Sequence, residues 1–250
     1  MASSNQTTRF RYSNGEIATA EAAAAFSWEA PVPVNPFWDD IDYCPARNFL
    51  GNFSDRELEQ LPIDASSTDT HGAKLQLLLR LLEEKLAQEE AAASPPQSLH
   101  DANYTRWYDL WQAIHALQSA SGLLEAAEAT AYMLVARQPE NSTDVRPRHI
   151  LAEHLVKVGK YAEAENTARP VCAWMDAHPR LGKDSPQAIN SRRMIARALW
   201  GQGPPRRAGA EALLAEIDEI VDGMGVGGGR FAVYQEEEKR LNVQMRAELS

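Results

Sequence analysis

The sequence predicts an all-α fold: a short α-solenoid of about three helical hairpins, with flanking helices and an irregular N-terminal extension. Three observations carry this. From residue 69 onward, apolar residues recur at helical spacings of three and four. Gly122, Gly159 and Gly203 stand between consecutive amphipathic stretches, where a chain leaves one helix and enters the next. The helix–glycine–helix units around those glycines align on one another in register, the mark of a repeated structural unit.

The middle unit, residues 148–174, shows the plan most plainly. Leu151, Leu155 and Val158 give its first helix an apolar face; Tyr161, Ala164 and Ala168 do the same for its second. One hairpin cannot bury that surface alone, so it needs neighbours of its own kind, and there is one on each side. The first unit reads Trp111-x2-Ile114-His115, Gly122, Ala127-x3-Ala131 and Pro139. The second reads Arg148-x2-Leu151-Ala152-x2-Leu155, Gly159, Tyr161 and Ala164-x3-Ala168. The third reads Arg192-x2-Ile195-Ala196-x2-Leu199, Gly203 and Ala210-x3-Leu214. Leu151 follows Ile114 by 37 positions, as Gly159 follows Gly122, and 44 positions separate Gly159 from Gly203. Ala164 to Ala210 is 46, because Pro204-Pro205 lengthens the turn.

These skeletons resemble the tetratricopeptide repeat, W-x2-L-G-x2-Y…A-x3-F…P with a period of roughly 34 residues; the longer spacings are similar to those of kinesin light chains. The resemblance covers residues 103–222. The first unit keeps the Trp, the turn Gly, the Ala and the final Pro, and the second keeps the Gly, Tyr and Ala. His115 departs from the small residue of the pattern, and Pro170 falls inside a predicted helix, where it should kink the chain. The resemblance implies a right-handed solenoid whose first helices line a concave face, with an inner stripe that touches the ligand. Carried over residue by residue, that stripe is Asp109, Gln112 and Ala116, then Arg146, His149, Glu153 and Lys157, then Asn190, Arg193, Arg197 and Trp200. The family's carboxylate clamp for chaperone C-termini is not reproduced, so chaperone binding is not implied.

Around the repeats, residues 1–15 read as a disordered tail, with a faint likeness to a transit peptide in their Ser/Thr content and two arginines. Residues 16–27 have helical propensity through their alanines. Residues 36–64 are acidic, with seven Asp/Glu against Arg47 and Arg56, and carry Phe37, Trp38, Tyr43, Phe49 and Phe53, too many aromatics for a linker. Their prolines argue against a long regular element, while Ser54 with Glu57 predicts a short capped helix. The spacing of Leu75, Leu78, Leu79, Leu82 and Leu86 predicts a helix over 69–93, stopped at Ser94-Pro95-Pro96. The third hairpin should open at Ser185-Pro186 and end near Gly223, and a last helix should span 232–249. The glycine-rich run 223–229 between them lacks the strand and Gly-Lys-Ser/Thr of a phosphate loop and reads as a flexible connection. The predicted organisation is an extension, 1–68, and a helical repeat domain, 69–250.

Composition narrows the function. A net charge of −10 argues against nucleic-acid binding. No apolar run reaches the length of a membrane helix, and no secretory signal opens the chain. Two cysteines in 250 residues point to a reducing compartment, the cytoplasm, rather than a disulfide framework. No nucleophile motif or cofactor signature appears. His149 and His154 lie about 140° apart around a helix, so they do not form the paired ligands of an i, i+4 metal site. The expectation is therefore a protein- or peptide-binding scaffold. Its groove, basic at Arg146, His149, Arg193 and Arg197, takes an acidic partner or the chain's own segment 36–64. The alternative is an enzyme acting on a small molecule in a pocket closed by residues 31–60. His115, His149 and Glu153 would then be acid/base candidates and Trp38, Trp111 and Trp200 the walls.

Overall fold

Helix stop and start signals act locally, and in the computed structural model of the chain they divide it much as the pattern of glycines and prolines suggests. Residues 8–10, 29–93 and 97–250 are described. The N-terminal tail, the helix expected over 16–27 and the Ser94-Pro95-Pro96 step fall outside the described residues, apart from Thr8–Arg9 and Phe10. Eleven α-helices and one 3-10 turn are found among the described residues, with a single two-stranded antiparallel pair, β1 (Thr8–Arg9) on β2 (Val32–Pro33). The protein is all-helical, with each helix packed on its neighbours. It forms two units, Met1–Thr130 and Ala131–Ser250.

In the first unit, α1 (Tyr43–Leu50) and α3 (His71–Ala92) both pack on α5 (Tyr104–Ala120), beside the short helices α2 (Asp55–Leu58) and α4 (Leu99–Ala102). Helix α1 is one the sequence pattern concealed: Pro45 sits in its first turn, where no intrahelical N–H is needed. Ser54 and Glu57 close a full capping box on α2. Along α3, Leu75, Leu78 and Leu82 are buried; Arg80 and Glu84 pair on its exposed side at 4.0 Å, and half-buried Lys85 reaches Glu89 at 3.4 Å. The aromatic segment buries Phe37, Trp38, Ile41 and Phe49. Buried Lys74 of α3 fastens it, its ammonium 2.6 Å from both the Pro36 carbonyl oxygen and the Asp40 carboxylate. Arg106 of α5 adds a second fastening by donating to Asn52 and Glu89.

The division between units falls inside α6 (Leu124–Ala136), so the second unit begins with that helix's C-terminal half. It continues with α7 (Arg146–Lys157), α8 (Tyr161–Ala177), α9 (Pro186–Gly201), α10 (Pro204–Gly223), a 3-10 turn (Ala232–Tyr234) and α11 (Gln235–Leu249). Each of α7 to α11 packs on the next, and the alternate helices α7, α9 and α11 also touch. Gly159 and Gly203 take the left-handed conformation (φ 77° and 93°) that the turn between paired helices requires. Leu151, Leu155, Ala164 and Ala198 form one buried cluster; Ala152, Ala168, Met194, Ile195, Leu199 and Ala210 form the next. The alanines set the helix spacing. One close approach between paired helices is at Gly201, where a Cβ would fall 2.5 Å from Cδ2 and Cζ of Tyr161.

Two expectations are modified. Helix α8 runs unbroken through Pro170, which is exposed, so the backbone hydrogen bond it forgoes is lost on the solvent side. The glycine-rich run, expected as a flexible connection, is traced as a series of turns. Met224 and Phe231 bury themselves at its two ends, and Gln235 donates from Nε2 to the carbonyls of Val221 and Asp222.

Candidate functional site

The four stripe residues of the middle hairpin lie on α7, whose first turn accommodates Pro147. Arg146, Glu153 and Lys157 are exposed. Arg146 forks onto Asp144, with Nη2 2.7 Å from Oδ2. His149 sits at the joint with α9, its Nδ1 3.3 Å from Ser191 Oγ and its Nε2 3.4 Å from Asn190 Nδ2. His154, one helical face away, is buried.

On α9 the stripe meets α11. Helix α11 opens with Glu236, Glu237 and Glu238, acids that suit the positive end of a helix. It buries Glu238, Asn242 and Met245, spaced by four and three. Arg193 is 3% exposed and spends its guanidinium on that face. It donates from Nη1 to Glu238 Oε2 at 2.5 Å, from Nη2 to the Glu238 carbonyl at 2.8 Å, and from Nε to Asn242 Oδ1 at 2.9 Å. Asn242 in turn donates to Asp218 of α10. Arg197, less buried, donates to Glu248 at 2.7 Å, and this bond holds the Glu248 carboxyl below its ordinary range. Trp200 is half-buried, with the Arg207 guanidinium 4.8 Å above its ring. Arg193 and Arg197, expected to meet a partner, are thus engaged by the chain's own C-terminal helix.

The remaining candidates lie in the first unit. Gln112 is half-buried, and His115 is buried on α5. The backbone carbonyl of Asp109 accepts from Asn52, so the aromatic segment reaches this part of the expected stripe. Trp38 packs between Phe37 and Phe49, and Trp111 leans on Trp107. His115 therefore belongs to one unit, and His149 and Glu153 to the other.

A feature the sequence did not announce lies in the second unit, along α8 and α10. An open groove of about 450 Å³ has Leu199, Leu213, Gly209 and Ala212 in its apolar lining. Arg169 and Arg206 stand at one end and Glu216 toward the other. Glu165 ties the cationic end together, its Oε1 accepting from Arg169 at 2.6 Å and from Arg206 at 2.5 Å, and its Oε2 from Gln202 at 2.8 Å. Burial alone would raise the pKa of Glu165, but the Gln202 and Arg169 hydrogen bonds outweigh it and lower the pKa on balance. Beneath this, buried Arg192 spans Asp176 (2.8 Å) and Glu216 (3.0 Å). The nearby Cys172 is buried with its pKa pushed up to about 11, so it is a packing residue and not a thiolate. The only signal in the sequence was Gly209, a glycine inside an otherwise alanine-rich helix.

No group of three or more His, Cys, Asp or Glu side chains that could hold a metal ion occurs among the described residues. No described helix is long and apolar enough to cross a membrane. Comparison with known proteins adds no relative: no family model, curated protein or solved structure matches the chain.

Proposed function

We propose that the chain is a non-enzymatic scaffold, a short right-handed solenoid of the tetratricopeptide-like kind that binds an acidic protein or peptide along the first helices of its hairpins. One observation carries this reading. Helix α11, with four glutamates against Lys239, Arg240 and Arg246, is seated on α9 through its acids, Glu238 on Arg193 and Glu248 on Arg197. The chain thus supplies its own example of a helix held by the stripe through its glutamates. Helix α7 continues that stripe and touches α9, with Arg146 and Lys157 exposed on either side of Glu153. The Lys157 ammonium and the Arg146 guanidinium on this face suit a carboxylate-bearing segment. The two free thiols suit a reducing compartment such as the cytoplasm.

The test uses a synthetic peptide of residues 235–249 as the glutamate-bearing helix, added to the full chain and followed by fluorescence anisotropy. Binding should weaken about tenfold or more in the Arg146→Glu/Lys157→Glu variant and fall as salt is raised. Equal affinity for both proteins would reject the α7 face as the docking stripe.

A further inference from the structure

The groove along α8 and α10 is separate from the α7 stripe and plays no part in the function proposed above. Its two ends carry opposite charge. At one end, two arginines share the single carboxylate of Glu165, leaving one positive charge uncompensated. Each guanidinium has five N–H donors. Arg169 spends Nε and Nη2 on Glu165, and Arg206 spends Nη2. Among the described residues, Nη1 of Arg169 and Nε and Nη1 of Arg206 have no hydrogen-bond partner. The two side chains are 55% and 45% exposed. Toward the other end Glu216 is 46% exposed, although it also meets Arg192.

Gly209 lies between these ends. Glycine inside a helix is destabilising relative to alanine, so some packing reason is expected for it. Packing within the chain supplies none: a Cβ at Gly209 would meet only Leu199 Cδ1, at an ordinary 3.8 Å. What the missing side chain does is keep the groove open above Leu199 and Leu213.

We infer that this groove binds an extended peptide of the pattern acid–x–aliphatic–x–base. The peptide carboxylate takes the spare donors of Arg169 and Arg206, and the aliphatic side chain lies over Gly209 on Leu199 and Leu213. The basic side chain reaches Glu216. Length agrees: Arg206 and Glu216 are ten residues apart on α10, about 15 Å along the helix, and the acid and base of an extended five-residue peptide are four rises apart, about 13 Å, with their side chains covering the difference. Opposite charges at the two ends favour a peptide over a small carboxylic acid, which would satisfy only one of them.

Anisotropy of a labelled Glu-Ala-Leu-Ala-Lys peptide titrated with the full chain tests the assignment. Saturable sub-millimolar binding is expected, weakened about tenfold or more by Gly209→Leu, which fills the groove, and by Arg206→Gln, which removes half of the anion site. The melting temperature of Gly209→Leu should stay at or above that of the parent, because leucine is the better helix former. A neutral Gln-Ala-Leu-Ala-Gln peptide should bind about tenfold more weakly, and the Arg146→Glu/Lys157→Glu variant should bind the charged peptide as the parent does. The inference is overturned if the charged peptide does not bind, if Gly209→Leu leaves its affinity unchanged, or if the neutral peptide binds equally well. Loss of binding in the α7 variant would place the peptide on the stripe instead, and displacement by equimolar hexanoate would make the ligand a small carboxylate; either result overturns it too.

Discussion

Arg193 and Arg169 make an instructive pair. Each is an arginine on a helix of the repeated hairpins, and each is bonded to a glutamate within its own unit. Around Arg193 the glutamate comes from α11, both side chains are sealed (3% and 0% exposed), and Asn242 takes further donors. Around Arg169 the glutamate lies one turn earlier on the same helix, a second arginine shares it, and more than half of the Arg169 side chain remains in solvent. The first arrangement is cement and the second keeps donors in reserve. What separates them is whether a later helix is laid over the arginine.

The sharpest way to break this comparison is to remove each arginine in turn. Arg193→Ala leaves the Glu238 carboxylate, which is 0% exposed, without its cation, and breaking a buried pair this way typically costs about 3–5 kcal/mol. Urea unfolding should show a loss of that size, and hydrogen exchange should show the α11 amides opening. Arg169→Ala leaves Glu165 with Arg206 and Gln202, so about 1 kcal/mol or less is expected. Equal losses would mean that the difference in burial has no energetic meaning.

Two exposed helical glycines sharpen the contrast between joint and groove. At Gly201 a methyl group would run into the Tyr161 ring, which is itself packed against the alanine cluster. Gly201→Ala should therefore cost about 1–3 kcal/mol by overpacking. Tyr161→Ala in the same chain should recover part of it, as a double-mutant cycle would measure. At Gly209 the same substitution meets ordinary contact and should stabilise by about 0.5–1 kcal/mol. Thermal unfolding reads both signs in one experiment.

The helices were legible in the sequence wherever their signals are local. The leucine spacing of α3, the Ser185 cap of α9 and the glycines at 159 and 203 act within one or two turns, and each stands where a helix begins, runs or turns. Helix α1 was hidden because Pro45 was counted as a breaker, although a first-turn proline costs a helix nothing. The fate of the stripe was hidden for another reason. Whether Arg193 faces solvent depends on Glu238 and Asn242, 45 and 49 residues further on, and no periodicity encodes which helix will cover it. The same holds for the groove. Arg169, Leu199 and Arg206 come from three helices, and only Gly209, a poor helix former with no packing duty, marked the place in advance.

Arg197 and Glu248 provide the smallest and most discriminating effect. Their side chains are 28% and 43% exposed, so Arg197→Ala should cost about 0.2–1 kcal/mol. That contribution depends on pH in a defined direction. The Arg197 hydrogen bond, working against a lesser effect of burial, holds the folded-state pKa of Glu248 below its ordinary value of 4.5. The folded state therefore binds fewer protons than the unfolded state just below that pH, and stability falls there. The difference in unfolding free energy between the parent and Arg197→Ala should stay level from about pH 7 to about pH 5. It should then shrink as pH drops below 4.5 and through the lower folded pKa. Salt should shrink it as well, since this pair is solvated, while the Arg193→Ala difference, desolvated on both sides, should survive salt. A difference for Arg197→Ala that salt leaves untouched would place Arg197 with Arg193 as cement, and the end of α11 would then be as firmly held as its middle.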